Sequence, residues 1–487
     1  MTESEAARRG PTLPLIIQGG MGVGVSNWEL ARAVALAGLD LHVPVLGVVS
    51  GTGVEVLLVR RLQDGDPGGH MRRALAAFPA PEIAESILGK YYGNVKKPES
   101  ARYKNAPPLN DLLSSIPERV RAMYELSIAA NYVEVWLARE GHDGPIGINH
   151  LEKIQLLHLA RLYGAMLAGV DYVLEGAGIP DQVPGVLDKY ANQEPAQYKI
   201  DFTGSREKLE MRFDPSTFSH ELSTLKLMRP QFLAIIASNL LAKVLLDSRR
   251  VSGRVDGFVV EGPTAGGHNA PPRHNKKEYN EEDFVDLDQI RKLGLPFWLA
   301  GSYGSPEKLA FALECGATGI QVGTPFALCD ESGMRPDLKS KLRQMIDEGT
   351  LIIGTSFTAS PTGFPIKIAE VEETLSKQEI YEGRRRRCNI VHLVKPYRTL
   401  SGKIGFRCPA EPVKAFVQKG GDPDEAKGSM CICNGLASTA GYPQHDKLGL
   451  EPPVITLGDD VGSVLRVPRR PDGSYTARDA LAYLLGK

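Results

Sequence analysis

Short apolar runs recur along the first two thirds of the chain, and each ends in glycine or a polar residue. Runs of this length predict buried parallel strands, and most of the segments between them have apolar residues at helical spacing. Strands that alternate with helices predict an α/β fold. The predicted strands lie at 13–18, 43–49, 145–149, 170–175 and 232–237 and in the strand-and-loop units 256–268, 296–304 and 319–326. This count of eight predicts a (β/α)8 TIM barrel.

The connection after the second strand is too long for one barrel crossover. It spans residues 54–144 and has helical patterns at 54–62, 70–78 and 117–139. We interpret it as the second barrel helix followed by a helical excursion that leads back into the barrel.

The connection after the fourth strand, residues 176–230, is also long. Within it, the runs 197–202 and 209–213 alternate apolar and polar positions, which predicts a β-hairpin. Loops that follow barrel strands lie on the catalytic rim, so this segment is a candidate lid over a substrate pocket. A structural flap or an oligomer contact is the alternative interpretation.

These patterns divide the chain into a barrel with insertions, residues 11–335, and a C-terminal extension, residues 336–487, which we expect to pack on the barrel. The extension carries the run Arg384–Arg387, for which a solvated or acid-paired patch is favoured over an anion site. Its four cysteines lack the paired Cys-x-x-Cys spacing of common zinc and iron–sulfur sites. We therefore predict free thiols and no metal at Cys388, Cys408, Cys431 and Cys433.

Composition limits the choice of function class and compartment. The 487 residues are 42% hydrophobic and 24% charged, and the net charge is -1. These values are typical of a globular protein and give no sign of a nucleic-acid or membrane-binding field. No apolar run approaches the roughly 20 residues of a membrane span, and the polar start of the chain differs from a secretory signal. Six cysteines in so long a chain do not suggest a disulfide scaffold, so a cytoplasmic protein is expected. The net charge and the short apolar runs predict no nucleic-acid or membrane partner.

Glycines follow the strands at positions suited to a phosphate. Gly301-Ser302 follows the seventh strand and Gly323-Thr324 follows the eighth. Glycine lets a ligand approach the backbone, and backbone N–H groups and hydroxyls at adjacent strand ends can bind a phosphate. Barrel enzymes form their phosphate site after these two strands. The turn Gly19–Gly22 after the first strand is, on its own, a tight strand-to-helix turn, with Ser26 as the predicted N-cap of the next helix.

Six short motifs follow one another between residues 14 and 332. They are Ile17–Gly22, Gly147–Asn149, Ala265–His268, Leu299–Gly301, Gln321–Phe326 and Glu331-Ser332. In this order they resemble the FMN-dependent nitronate monooxygenases (2-nitropropane dioxygenases) and the related FMN-dependent enoyl-acyl-carrier-protein reductases. The resemblance implies a flavin barrel. No G-x-G-x-x-G fingerprint lies between a strand and a helix, which favours FMN over a Rossmann-bound NAD.

The resemblance and the strand-end chemistry together indicate which residues would bind FMN. The residues of Gly301-Ser302 and Gly323-Thr324 would hold the phosphate, and Gln321 would support the phosphate loop or the ring. The backbone of Gly20-Met21 would lie against the ring, that of Gly266-Gly267 would pass close to the flavin, and Asn149 would hydrogen-bond the ring edge or the phosphate. The predicted cofactor residues are Gly20, Met21, Asn149, Gly266, Gly267, Ala300, Gly301, Ser302, Gln321, Gly323 and Thr324.

His268 is the predicted catalytic residue, because an imidazole can take a proton from carbon beside an electron-withdrawing group. The resemblance implies oxidation of alkyl nitronates, and of nitroalkanes after deprotonation, by flavin and O2 to a carbonyl compound and nitrite. The alternative is an NAD(P)H-dependent enoyl-thioester reductase of fatty acid or polyketide synthesis, and a third class is a non-catalytic FMN-binding protein. The expected partners are a small-molecule substrate with O2 or NAD(P)H, and a homo-oligomer is open. His150, at the end of the third strand, suits packing, helix capping or function equally.

Overall fold

A computed structural model describes residues 13–98, 101–107, 117–275, 277–446 and 449–487. The first two residues of the predicted barrel segment, 11 and 12, lie outside the described residues. Every residue predicted to bind the cofactor or to act in catalysis lies within them.

Eight parallel strands close into a barrel, which confirms the predicted (β/α)8 fold. Each strand pairs with the next along the chain, and the first also pairs with the eighth, with Ile17 opposite Gln321. The strands are Ile16–Gln18, Val45–Ser50, Ile146–Leu151, Tyr172–Gly176, Gln231–Ile236, Gly257–Glu261, Phe297–Ala300 and Gly319–Val322.

Apolar side chains on both faces of these strands explain their near-continuous hydrophobic pattern. One set fills the barrel interior and includes Ile17, Leu174 and Trp298, whose indole Nε1 donates to the carbonyl of Pro14 at 2.6 Å. The alternate positions pack against the surrounding helices. The barrel is therefore a filled core, and a ligand has room only at its ends.

Helices surround the barrel and make up most of the first insertion. In the barrel half of the chain they are Trp28–Asp40, Val54–Gln63, His70–Ala76, Pro81–Tyr91, Pro117–Arg139, His158–Leu167, Val183–Ala191, His220–Thr224, Asn239–Leu245, Leu287–Arg291, Pro306–Glu314 and Thr324–Ala327. Short 3-10 turns lie at Pro67–Gly69, Pro215–Thr217, Arg273–Asn275 and Glu281–Asp283. The three helical patterns predicted in the first insertion are present, and the helix Pro81–Tyr91 is additional.

A buried ion pair joins the first insertion to the barrel helices. The guanidinium of Arg161 donates to both carboxylate oxygens of Glu55, at 2.8 and 2.9 Å, and both side chains are almost fully buried. The hydroxyl of Ser127, on the long helix Pro117–Arg139, donates to the same carboxylate at 2.8 Å. Two groups of donors thus satisfy a charge that would otherwise be costly to bury.

The second insertion contains the predicted hairpin, with strands Ala196–Asp201 and Lys208–Phe213. Its buried face includes Tyr198 and Phe213 and packs on the helices His158–Leu167 and Val183–Ala191. The described hairpin residues therefore cover barrel helices, and a lid role for 176–230 stays a prediction.

The C-terminal extension contacts the barrel rim in several places. Its helices are Pro336–Asp347, Gln378–Gly383, Val413–Gln418, Pro423–Ala426, Ile432–Thr439, Gly462–Arg466 and Ala477–Leu484, and its paired strands are Ile352–Ser356 with Ile366–Glu370, Lys395–Arg398 with Ile404–Arg407, and His445–Asp446 with Gly449–Leu450. The amide of Asp459 donates to the carbonyl of Thr264 at 3.0 Å, and the amide of Gly458 donates to Oγ1 of Thr324 at 3.2 Å. Residues near 458 thereby lie against two barrel loops.

Side-chain contacts settle three smaller expectations. The N-cap of the first barrel helix is Asn27 and not Ser26, because the Asn27 side chain accepts from the amide of Leu30 at 2.9 Å. In the arginine run, Arg384 and Arg387 pair with the carboxylate of Glu451, so the expected acid pairing is present. The side chains of Arg384 and Glu451 are buried, however, and do not form the expected surface patch. All six cysteines are free thiols. Among the described residues, no helix is both long and apolar enough to cross a membrane.

Candidate functional site

Two adjoining cavities lie at the carboxyl ends of the barrel strands. We refer to them as the first and the second cavity. The residues that line both are Gly20, Gly22, Asn149, Ile235, Glu261, Gly266, Gly267 and Thr456.

The structure places every predicted cofactor residue on the first cavity. These residues come from the ends of the first, third, sixth, seventh and eighth strands and from the loops that follow them, and they meet because parallel strands present their carboxyl ends at one rim. They are Gly20, Met21, Asn149, Gly266, Gly267, Ala300, Gly301, Ser302, Gln321, Gly323 and Thr324. His268 lies on the second cavity, directly beyond the shared wall at Gly266 and Gly267.

Buried polar side chains hold the first turn against the cavity. The hydroxyl of Ser26 donates to the carbonyl of Gly19 at 3.0 Å and accepts from the amide of Met21 at 3.0 Å. The side chain of Gln18 donates to the same hydroxyl at 2.9 Å. Gly20 must be glycine, since a Cβ there would lie 2.5 Å from Cβ of Asn149. The sequence pattern predicts Ser26 only as a helix cap, whereas in the structure its side chain fixes the turn that lines the cavity.

The loop after the seventh strand has unusual backbone geometry. Gly301 has a φ of 90°, and Ser302 has a φ of 59°, in the left-handed region that residues with a side chain seldom occupy. Such conformations persist where the surrounding structure enforces them, and they cluster at ligand sites. The helix Pro306–Glu314 follows this loop, and the side chain of Ser305 caps it by accepting from the amide of Lys308 at 3.3 Å.

Gln321 provides an independent sign that a polar ligand belongs in the first cavity. Its Oε1 is buried on the cavity wall and has no hydrogen-bond partner among the described residues. A buried acceptor without a partner costs about 1–3 kcal/mol, so native proteins nearly always satisfy it. A ligand that brings an N–H or O–H group into the cavity would supply the missing donor.

His268 is held by a loop of the C-terminal extension. Its Nε2 is hydrogen-bonded to Oγ of Ser360 at 2.7 Å, and that hydroxyl is hydrogen-bonded to Thr362 at 2.8 Å. Burial, assisted by the charge of Lys153, lowers the pKa of His268 to about 4. The imidazole is therefore neutral at pH 7.

Glu261, at the end of the sixth strand, lies on both cavities. Burial raises the pKa of its carboxyl to about 8, so the group is protonated at neutral pH. Sequence reasoning missed this residue. Its position at a strand end, directly before Gly262 and seven residues before His268, is the signal that could have identified it.

The C-terminal extension contributes wall residues that local sequence patterns did not indicate. On the first cavity they are Thr456, Leu457, Gly458 and Asp460, and on the second they are Ile366, His392, Leu393, Ile432, Cys433, Leu436 and Thr456. The approach is close, because a Cβ on Gly266 would lie 2.7 Å from the amide nitrogen of Gly458. The site is thus built from the barrel and the extension together.

Comparison with known proteins agrees with the recognised motifs. Residues 224–364 match the family model described as nitronate monooxygenase, and this segment includes the motifs Ala265–His268, Leu299–Gly301 and Gln321–Phe326. The resemblance is therefore confirmed over the last four barrel strands and the loop that holds His268. No curated protein is detectably similar to the chain.

Several solved structures match the chain at low identity. FabK from Thermotoga maritima is 15% identical with a TM-score of 0.46, and the match covers 97% of this chain and 92% of FabK. The nitroalkane oxidase from Streptomyces ansochromogenes is 14% identical with a TM-score of 0.44, covering 97% and 95%. The enoyl reductase domain of MlnA from Bacillus amyloliquefaciens is 13% identical with a TM-score of 0.43, covering 99% and 96%. At these scores the fold assignment rests on this chain's own strand pairing.

Proposed function

We propose that this chain is an FMN-dependent oxidoreductase that oxidises alkyl nitronates with O2 to a carbonyl compound and nitrite. The observation that carries the proposal is the convergence of every predicted cofactor residue on one cavity, with His268 on the cavity beside it. The match of residues 224–364 to the nitronate monooxygenase model supports the choice of reaction.

The first cavity suits FMN in its polar groups. The backbone of Gly301-Ser302 and of Gly323-Thr324 would hold the phosphate, and the turn at Gly20-Met21 would lie against the ring system. The unpartnered Oε1 of Gln321 would accept from an N–H or O–H group of the cofactor. Bound FMN would supply two-electron oxidation of the substrate and reaction with O2.

The state of His268 favours a nitronate over a neutral nitroalkane as the preferred substrate. An imidazole with a pKa of about 4 is unprotonated throughout the usual pH range, but it is a weak base toward carbon. A nitronate has already lost its proton, so its oxidation does not require a base. A substrate anion bound next to the ring would also raise the pKa of His268 and favour its protonated, hydrogen-bond-donating form.

Enoyl-thioester reduction with NAD(P)H is the second candidate, and the second cavity supports it. Apolar side chains line much of that cavity, as an acyl chain requires. Reduction of a C=C bond also needs a proton for one carbon, and Glu261 holds a proton at neutral pH on the wall that the two cavities share.

Two assays on the purified protein separate these candidates. Nitrite formation with O2 uptake on ethyl nitronate, and no NAD(P)H oxidation with a trans-2-enoyl thioester, is the result expected for the proposed function. The opposite pair of results would assign the second candidate. Bound FMN with neither activity would overturn both and indicate a non-catalytic flavin-binding protein.

A further inference from the structure

The second cavity contains a buried histidine that the proposed reaction does not use. His150 precedes the last residue of the third barrel strand, and its side chain is 1% exposed on the wall of the cavity. Neither ring nitrogen has a hydrogen-bond partner among the described residues. Buried polar groups in native proteins are nearly always hydrogen-bonded, so this ring is missing a partner.

Packing fixes the His150 ring in place. A Cβ on Gly51 would lie 2.5 Å from Nδ1 and Cε1 of the ring, so only glycine leaves room for it. The ring of His158 packs edge-on, with 5.9 Å between the ring centroids. Burial, and then the charges of His158 and Arg161, lower the pKa of His150 well below its usual value. The ring is thus neutral and offers one N–H donor and one acceptor nitrogen.

Apolar side chains from two directions form most of the remaining wall. Those of the C-terminal extension are Ile366, Leu393, Ile432 and Leu436, and those of the barrel segment are Val23, Leu151, Ile154 and Ile235. The ionisable groups on the wall are His150, His268, His392, Glu261 and Cys433. Burial lowers the pKa of His392 to about 4 and raises the pKa of Glu261 to about 8, and it also raises the pKa of Cys433, so these groups are uncharged at pH 7.

We propose that His150 hydrogen-bonds an oxygen of the substrate, whose apolar tail lies along Leu393, Ile432 and Leu436. The substrate class is therefore a carbonyl or nitronate compound with an apolar tail. The identity of the reacting group rests on the proposed function. The mode of binding is inferred from the cavity alone. His150 is a binding residue here, and the C-terminal extension selects the tail.

The binding test uses probes that the enzyme cannot turn over. Saturated acyl thioesters of N-acetylcysteamine, from acetyl to octanoyl, present a carbonyl oxygen and a tail of varied length. Isothermal titration calorimetry on the FMN-loaded protein measures their dissociation constants. We expect affinity to rise about fourfold for each added methylene until the cavity is filled, as burial of apolar surface predicts.

Two variants divide the polar contact from the apolar one. His150→Phe should weaken binding of every thioester by about tenfold, because it removes one hydrogen bond without filling the tail region. His150→Gln, which retains a donor and an acceptor, should restore part of that loss. Leu436→Trp should spare the acetyl thioester and weaken binding progressively as the tail lengthens. Leu450→Trp is the matched control, since Leu450 is 54% exposed in the same extension and lies on neither cavity.

The outcomes distinguish this inference from the proposed function. Chain-length-dependent binding that both variants alter as expected, in a protein without either enzymatic activity, would uphold the inference and remove the proposed function. If the protein oxidises nitronates but its affinity for thioesters depends neither on chain length nor on His150, the inference alone would be overturned. If His150→Phe fails to fold, His150→Gln tests the polar contact, because moving the donor should weaken binding of every thioester alike. Leu436→Trp and the chain-length series then test the apolar contact.

Discussion

Two ionisable side chains in the candidate site have pKa values displaced in opposite directions. Burial lowers the pKa of His268 to about 4 and raises the pKa of Glu261 to about 8. Both groups are therefore uncharged at pH 7, although a histidine and a glutamate in water would be largely neutral and fully ionised, respectively. Burial is the main cause of both displacements, because it disfavours the charged form of each group.

At His268, we predict that His268→Ala keeps FMN and the fold but loses most activity on a neutral nitroalkane. General-base assistance is typically worth about 10²–10⁴-fold in rate, and the low pKa of His268 puts the expected loss at the lower end of that range. The imidazole is not part of the predicted phosphate site. A preformed nitronate should be affected much less. Initial rates on both substrates, with the FMN content of each preparation, provide the measurement. Equal rates for wild type and variant on the nitroalkane would exclude the base role.

At Glu261, we predict a pH-dependent gain in stability for Glu261→Gln. The folded-state pKa of about 8 lies above the unfolded value, so the contribution of the protonated carboxyl to stability is present at low pH and is lost as the pH rises through 8. Glutamine keeps the neutral, buried form at every pH. The variant should therefore melt above the wild type by a wider margin at pH 9 than at pH 5. A margin that is independent of pH would contradict the raised pKa.

Turns at the strand ends determine whether the barrel can hold a ligand. The motifs identified which turns line the candidate site, because a glycine at a strand end lets the backbone approach a ligand closely. They did not identify the side chains that brace those turns. Ser26 and Asn27 are adjacent residues of equal capping quality, and only the packed backbone decides that Asn27 caps the helix while Ser26 holds the turn at Gly19.

In the first of these turns, we predict that Gly20→Ala weakens FMN binding by at least tenfold. The new methyl would lie 2.5 Å from Cβ of Asn149, so either the turn or Asn149 must move away from its place on the cavity. Gly89→Ala is the matched control, since Gly89 lies in the helix Pro81–Tyr91 with no atom within 4 Å of the new methyl. Fluorescence titration with FMN measures both. Unchanged affinity in Gly20→Ala would remove the turn from the cofactor site.

The molecule consists of a barrel and a C-terminal extension. Local sequence patterns predict the barrel strands, but they do not predict the contacts between the extension and the barrel. The eight barrel strands could be recognised in the sequence, from 13–18 to 319–326, because each apolar run ends in a recognisable turn. The contacts of Ser360 with His268 and of Gly458 with Thr324 join residues 92 and 134 positions apart. No periodicity within a window of sequence encodes such pairs, so the second half of the site could not be predicted.

At this scale, we predict that Leu481→Ala destabilises the protein by about 2–5 kcal/mol, as is usual for large-to-small changes in a core. Leu481 is fully buried on the helix Ala477–Leu484, which packs on the first barrel helix and on the helix that follows the seventh strand. Denaturant unfolding measures the loss, and the residue touches neither cavity. A loss below about 1 kcal/mol would show that this helix does not clamp the barrel. Leu465→Ala, at an exposed leucine of the extension, is the control.

The contact between Gly458 and the barrel loops has a consequence for biosynthesis. Domains fold from the N-terminal end while the chain is still being made, and all eight barrel strands leave the ribosome before residues 456–460 do. The first cavity therefore stays without one wall until translation has passed Asp460. A nascent barrel that has already closed through Ile17 and Gln321 still lacks that wall. Loading of the FMN that we propose would accordingly be a late event, and chains that stall before residue 460 should accumulate as colourless, flavin-free protein.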